Sequence, residues 1–248
     1  MVLYRMEEKQ QVKSKKRVTD HGEVFTAERE VNAMLDLVKQ ETERIDSRFL
    51  EPACGDGNFL SEILRRKLTV VERNYKRNTH DYEKYSILAL MSIYGVDIML
   101  DNVIECRARL LEIWKEKYYA ICKKNATKEA EEVAAYILSK NVICGNALTM
   151  MQVDENCNDT KKYITFSEWS FVTGDMVKRR DYRLDQLLNG NNALERDMRV
   201  DWEFDPETKS YIPAPIAEYD ITSYFRLPYV EDIKTNSEIK ELEQLSFF

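Results

Sequence analysis

Residues 49–60 read Phe-Leu-Glu-Pro-Ala-Cys-Gly-Asp-Gly-Asn-Phe-Leu, and no other part of the chain constrains its fold as strongly. An apolar strand end, a turn carrying two glycines and the first turn of an amphipathic helix follow one another without a gap. Gly55 and Gly57 let the backbone reverse sharply and approach a ligand more closely than a side chain would allow. The helix after them carries Phe59, Leu60, Ile63, Leu64 and Leu68 at helical spacing. Its first amides have no partner within the helix, so they are suited to a ligand carboxylate or phosphate. The run therefore predicts a nucleotide-sized ligand site at the end of a strand. Leu60 stands where a dinucleotide fingerprint needs its third glycine, which counts against a nicotinamide or flavin site.

The rest of the chain alternates in the same way. A helix is expected over 28–45, from Val31, Met34, Leu35 and Val38, and a first strand over 48–52. Helical patterns fill most of 58–91, a second buried strand covers 92–96, and a long helix over 101–124 is marked by Val103, Leu110, Trp114, Tyr118 and Ile121. A further helix at 128–139 leads into a third strand at 141–144. Strands alternating with helices predict an α/β protein with a parallel, doubly wound sheet. Beyond Met151 the pattern changes to a polar linker at 154–162, another strand at 163–172, a short helix at 181–188, and loops over 189–223, where an Asn-Gly-Asn-Asn run and three prolines fall. The expected organisation is a flexible segment at 1–18, a ligand-binding domain at 19–188 and a loop-rich appendage at 189–248.

Composition narrows the function classes. A chain of 248 residues with 44% hydrophobic residues can bury a core, and its formal charge of -7 argues against gripping DNA unaided across a broad basic surface. Two basic clusters, Lys13, Lys15, Lys16 and Arg17, then Lys178, Arg179, Arg180 and Arg183, read as solvated segments. The five cysteines are widely spaced with no C-x-x-C pair, which predicts free thiols in a reducing compartment. Neither His21 nor His80 has a second histidine at ligand spacing, so no metal is expected. The first residues lack an apolar signal core and the longest apolar stretch, 85–96, is too short to span a bilayer. A cytoplasmic protein without a membrane anchor is expected.

The longer string Leu-Glu-Pro-Ala-Cys-Gly-Asp-Gly-Asn-Phe-Leu resembles the first motif of S-adenosylmethionine-dependent methyltransferases, in the form typical of adenine-N6 DNA methyltransferases. Upstream, His21-Gly22-Glu23-Val24-Phe25-Thr26-Ala27-Glu28 is similar to the segment that precedes the first strand in that family and closes over the methionine end of the cofactor. The resemblance covers about residues 17–150. It implies a Rossmann-like class I methyltransferase sheet and the cofactor S-adenosyl-L-methionine. It also implies that Glu51, Gly55 and Asp56 contact the methionine portion, with Phe25 and Thr26 covering it and Pro52, Ala53 and Gly57 among the cofactor-binding residues. Asp97, at the end of the second strand, has two readings: a carboxylate for the ribose diol, or a plain cap for the helix that follows. Asn146, where the family carries an acid facing the adenine amine, either accepts from that amine or merely ends a strand. Ile98 and Ala147 would sandwich the adenine ring.

One element of the resemblance is missing. Methyl transfer to an exocyclic amine needs acceptors that hold the amino group and an aromatic ring stacked on the flipped base. The family supplies them as Asn or Asp, two prolines and an aromatic after the fourth strand, and no such string occurs here; Arg226-Leu227-Pro228-Tyr229 is the nearest. Glu168 and Trp169 are the candidate substitutes for acceptor and ring, against the simpler reading of a strand with a core aromatic. The fold is thus expected to be incomplete. Three functions remain open: an adenine-specific DNA methyltransferase subunit of a bacterial restriction-modification system, which meets double-stranded DNA through a partner subunit; a non-catalytic cofactor-binding or interaction subunit, or a truncated methylase; and a methyltransferase for a small molecule or protein.

Overall fold

The computed structural model describes residues 13–15, 17, 19, 26–189, 202–205 and 210–230. Two short helices, α1 (Glu28–Asp36) and α2 (Lys39–Thr42), precede the alternating part: β1 (Phe49–Glu51), α3 (Asn58–Tyr75), α4 (Thr79–Met91), β2 (Ile93–Asp97), α5 (Leu100–Cys122), α6 (Lys128–Asn141) and β3 (Val142–Asn146). Two helices begin on residues that cap them. Asn78 accepts the amides of His80 and Asp81 at the start of α4, and the Thr127 hydroxyl accepts that of Ala130 at the start of α6. By contrast, α3 starts on Gly57 in the left-handed region, with no side-chain cap.

β1, β2 and β3 pair in parallel in the order in which they occur, with Phe49 opposite Ile93 and Gly95 opposite Val142. Past β3 the direction reverses: β4 (Met151–Val153) runs antiparallel to β3, and β5 (Asp159–Tyr163) antiparallel to β4. The result is a mixed α/β sheet of five strands, ordered β1-β2-β3-β4-β5. Parallel strands laid down in one direction by right-handed crossovers carry all their crossover helices on one face. The core agrees. Ile93 belongs to the cluster of Leu60, Leu64, Val103, Leu110, Val133 and Ile137, whereas its neighbours Tyr94 and Val96 pack with Ile164, Phe166 and Leu184. Double winding needs a reversal of strand order, and among the described residues the parallel strands show none. What forms is one wound half.

The second face is closed by a separate sheet. β6 (Thr165–Thr173) and β7 (Met176–Arg183) form a hairpin, continued by α7 (Leu184–Asn189). β8 (Trp202–Asp205) pairs with β9 (Ser210–Pro213), while β10 (Ala217–Glu218) and β11 (Thr222–Ser223) both pair with β7. A 3-10 turn, Tyr224–Tyr229, then buries Tyr224 in the main core, where its hydroxyl donates to Glu83 at 2.8 Å. Glu83 also accepts from Tyr118, whose ring stacks on Trp114.

Four expectations are corrected here. The helix expected over 28–45 is two helices, separated at Leu37 and Val38. The linker expected at 154–162 contains β5, whose exposed Asp-Thr-Lys-Lys-Tyr sequence belongs to a sheet edge and so lacks an apolar face. The loops expected over 189–223 contain β8 to β11 in their described parts, and residues 217–229 belong to the body of the fold rather than to an appendage. The basic run at 178–183 is a strand, not a solvated segment. Its alternation is hidden because Arg179 and Asp181 point inward and neutralise each other, at 2.7 and 2.9 Å. Tyr136 accepts from Arg179, Ser167 and Tyr219 donate to Asp181, and the guanidinium lies over the Tyr219 ring at 4.0 Å.

The start of the sheet hangs on one buried cation. Lys67, on α3, is fully buried and donates to the carbonyls of Arg44, Ile45 and Ser47 and to the Ser92 hydroxyl. It thereby joins the turn before β1 to the residue before β2. Burial pulls its pKa down to about 7, and the four oxygens offset part of that cost. Replacing it with methionine keeps the packing volume but leaves buried carbonyls without donors. Lys67→Met is expected to lower the unfolding free energy by about 3 kcal/mol, read from urea denaturation at unchanged m-value.

Candidate functional site

The carboxyl ends of β1 and β2 meet at the glycine turn. Gly55 and Gly57 both adopt positive φ, 53° and 90°. A Cβ on Gly57 would stand 2.7 Å from the Cys106 sulfur on α5, so the turn lies flat against that helix because it has no side chain there. The Gly55 amide donates to Asp97 Oδ2 at 2.9 Å. The other oxygen, Oδ1, accepts from the Met99 amide at 2.8 Å and from Asn102 Nδ2 at 3.2 Å. Asp97 is therefore a tie between the glycine turn, the end of β2 and the first turn of α5. The Met99 bond is an Asx turn just before α5, whose own capping position is Met99 and carries no side-chain cap, and the Gly55 bond adds a function that neither reading contained.

Asp56 is buried and held by Arg109 through two hydrogen bonds, at 2.6 and 3.1 Å. A bidentate guanidinium neutralises the charge expected to face a cationic ligand, so Asp56 is a structural anchor of the turn. Arg109 also donates to Asn58, which in turn donates to the Thr26 carbonyl. Phe25 lies outside the described residues. Pro52 and Ala53 are exposed on the turn. Glu51, at the end of β1, is half-buried; burial raises its carboxyl above the usual range, with the Ala53 amide acting the other way.

Further along, Asn146 makes an Asx turn, its side-chain oxygen accepting the Leu148 amide at 3.0 Å while its nitrogen donates to Asp159. This turn follows directly on the last residue of β3. Ala147 packs on the Tyr94 and Val96 cluster, and half-buried Ile98 presents its carbonyl to two thiols, Cys144 and Cys157. Beside them a groove of about 430 Å3, open to solvent, is lined by Leu100, Cys144, Val153, Asp154, Glu155 and Asn156. Its size lies within the range of about 300–1,000 Å3 common to small-molecule sites. Glu168 and Trp169 lie elsewhere. The Trp169 ring is in the core with its nitrogen donating to Asn141 at 3.0 Å, and Glu168 pairs with Arg48 and Arg180. Neither is placed to hold a flipped base.

Arg109 and Asn102 were not singled out from the sequence. With Cys106 they share one stripe of α5, so a cation and an amide on an otherwise apolar face were the available signal. Asn102 also accepts from Lys13 at 2.7 Å, and Arg17 grips Asp101 through two bonds at 2.6 and 2.7 Å. Lys13 and Arg17 of the first basic cluster are thus docked on α5, whereas Lys15 is exposed.

The fold and this site define a mixed α/β protein with its candidate pocket at the carboxyl ends of parallel strands. Comparison with family models, curated proteins and solved structures finds no match. Among the described residues no helix is long and apolar enough to cross a membrane, and no group of three His, Cys, Asp or Glu residues is placed to hold a metal.

Two outcomes are expected. Gly57→Ala adds both a disallowed Cβ and backbone strain, and should cost on the order of 2–3 kcal/mol in urea denaturation; adding Cys106→Ala removes the clash and restores part of that loss, leaving the strain. The Arg17 bonds pull the Asp101 carboxyl down to about 2. A depressed carboxyl stabilises the docked segment above the unfolded value of about 3.9 and loses that contribution as pH falls toward 2. An NMR titration should place the Asp101 midpoint near 2, and Arg17→Ala should return it toward 3.9. Asp101 is half exposed, so added salt should shift it in the same direction as the mutation.

Proposed function

We propose that the chain is the cofactor-binding half of an S-adenosylmethionine-dependent DNA methyltransferase of the adenine-N6 type, which takes its base pocket and DNA contacts from a partner polypeptide. The observation that carries this reading is the tie between Gly55 and Asp97. It joins the resembling motif to the acid at the end of the adjacent strand, as a ligand spanning both would require.

The residues fit the cofactor in part. The uncapped amides of α3 suit the methionine carboxylate. Glu51, rather than Asp56, is the acceptor for the ammonium, since Arg109 occupies Asp56. A ribose diol at Asp97 would take the place of Asn102, the most distant of its three donors named above, and adenine would enter the groove beside Ile98 and Leu100. When bound, the cofactor supplies the electrophilic methyl group. The chain's own part would be to orient it and exclude water from it. The Asn or Asp, two prolines and aromatic that hold the target amine in the family do not occur in the sequence, and β3 is followed by antiparallel β4 where that motif would be sought. This favours a partner polypeptide for catalysis. It equally favours the second reading, a cofactor-binding subunit without catalysis of its own.

Calorimetric titration of S-adenosylmethionine into the full chain tests the proposal. One equivalent should bind, and Glu51→Gln should weaken binding about tenfold, or about 1.4 kcal/mol, without moving the urea midpoint by a comparable amount. Absence of binding by the folded wild-type chain would overturn it. Labelled methyl in DNA only when the natural partner is added would select the catalytic reading over the second.

A further inference from the structure

Cys144, on β3, and Cys157, on the loop between β4 and β5, point at the same atom. Their sulfurs lie 3.7 and 3.5 Å from the Ile98 carbonyl oxygen, so they stand no farther apart than those two contacts laid end to end. Cys144 lines the open groove, and the loop that carries Cys157 supplies the groove's other wall through Val153, Asp154, Glu155 and Asn156. Both thiols are only half-buried. The loop is held mainly within itself: Asp154 accepts the amides of Asn156 and Asn158, and the Cys157 amide donates to the Asp154 carbonyl. It can therefore shift toward β3 without breaking the sheet ladder. The other neighbouring thiols, Cys54 and Cys106, contrast with this pair. They are buried beneath the glycine turn, out of reach of an oxidant in solvent; the hydrogen bond with Cys106 and burial raise the Cys54 thiol well above its ordinary range, and the half-buried Cys144 is raised by its burial too but stays open to the groove.

We propose that Cys144 and Cys157 form a redox-modifiable dithiol, which a low-molecular-weight disulfide such as oxidised glutathione converts to an intramolecular disulfide across the lip of the groove. In the first step one thiolate attacks the oxidant, forming a mixed disulfide and releasing one reduced glutathione thiolate, which takes up a proton. In the second, the other cysteine thiolate attacks the protein sulfur of that mixed disulfide and displaces the second glutathione. Two cysteine thiols lose two electrons and two protons, and one oxidised glutathione becomes two reduced molecules. The new bond pulls the 153–157 wall toward β3 and narrows the groove. It also removes both S–H donors from Ile98. The inference rests on the position of the thiols alone and holds whichever ligand the groove takes.

The test is oxidised glutathione added to the full folded chain, followed by thiol counting under denaturing conditions and by non-reducing peptide mapping. Three of the five thiols should remain, with one new species linking the peptides of Cys144 and Cys157, reversible by dithiothreitol. Cys144→Ser should instead retain a glutathione adduct on Cys157, and Cys157→Ser one on Cys144, because each variant lacks the resolving thiol. A Cys54 to Cys106 link in place of the expected one, five unreacted thiols, or stable glutathione adducts on both Cys144 and Cys157 in the wild type would each overturn the proposal.

Discussion

Donors from two parts of the chain converge on the Asp97 carboxylate, among them the Gly55 amide from the turn after β1 and, at the head of α5, the Met99 amide and the Asn102 side chain. A carboxylate that is 9% exposed and so engaged fixes the geometry of everything at this end of the sheet. The glycine turn has no side-chain cap of its own to define it, and it is held against Cys106 by Asp97 at Gly55 and by Arg109 at Asp56. At the opposite end of the same strands, Lys67 plays the complementary part as a donor surrounded by oxygens. β1 is only three residues long, and these two buried polar groups near its ends do much of what a longer ladder would otherwise do.

The same arrangement shows why an acid at the end of a strand is ambiguous. Its carboxylate is equally suited to a diol and to backbone amides, and the choice depends on which donors the neighbouring loop brings within reach. Here the loop brings the turn itself. Asp56 illustrates the point more strongly. In the linear chain it looks like a ligand residue because it sits between two glycines, yet an arginine 53 positions away in sequence closes on it with both nitrogens. Glu51 then carries the acidic character of the turn.

The alternating part of the fold was legible in residues 48–144 because its strands are short apolar runs that end on one polar residue and its helices keep one apolar stripe. The remainder was not, for identifiable reasons. β5 is an exposed edge strand with no apolar face, and β10 and β11 have two residues each, too few for any period. β7 alternates, but with Val177, Arg179 and Asp181 on the inner side, and a buried ion pair has the same appearance in sequence as two solvated charges. In the site, the glycine turn and Asp97 were found together from the sequence. Arg109, Asn102 and Lys13 were not, since what they do depends on which helix face meets which turn.

Tyr224 donates to Glu83 across 141 positions of sequence, and this distance bears on the order in which the molecule is made. During synthesis the α3 to α6 layer emerges long before Tyr224 does. Through that interval Glu83, in the middle of the layer, has Tyr118 but not its second hydroxyl, and the patch that Tyr224 and Leu227 will cover lies open to water. Closure of that patch therefore waits for the segment that carries Tyr224 and Leu227, and the nascent chain must keep an unfinished apolar surface from neighbouring chains until that segment emerges.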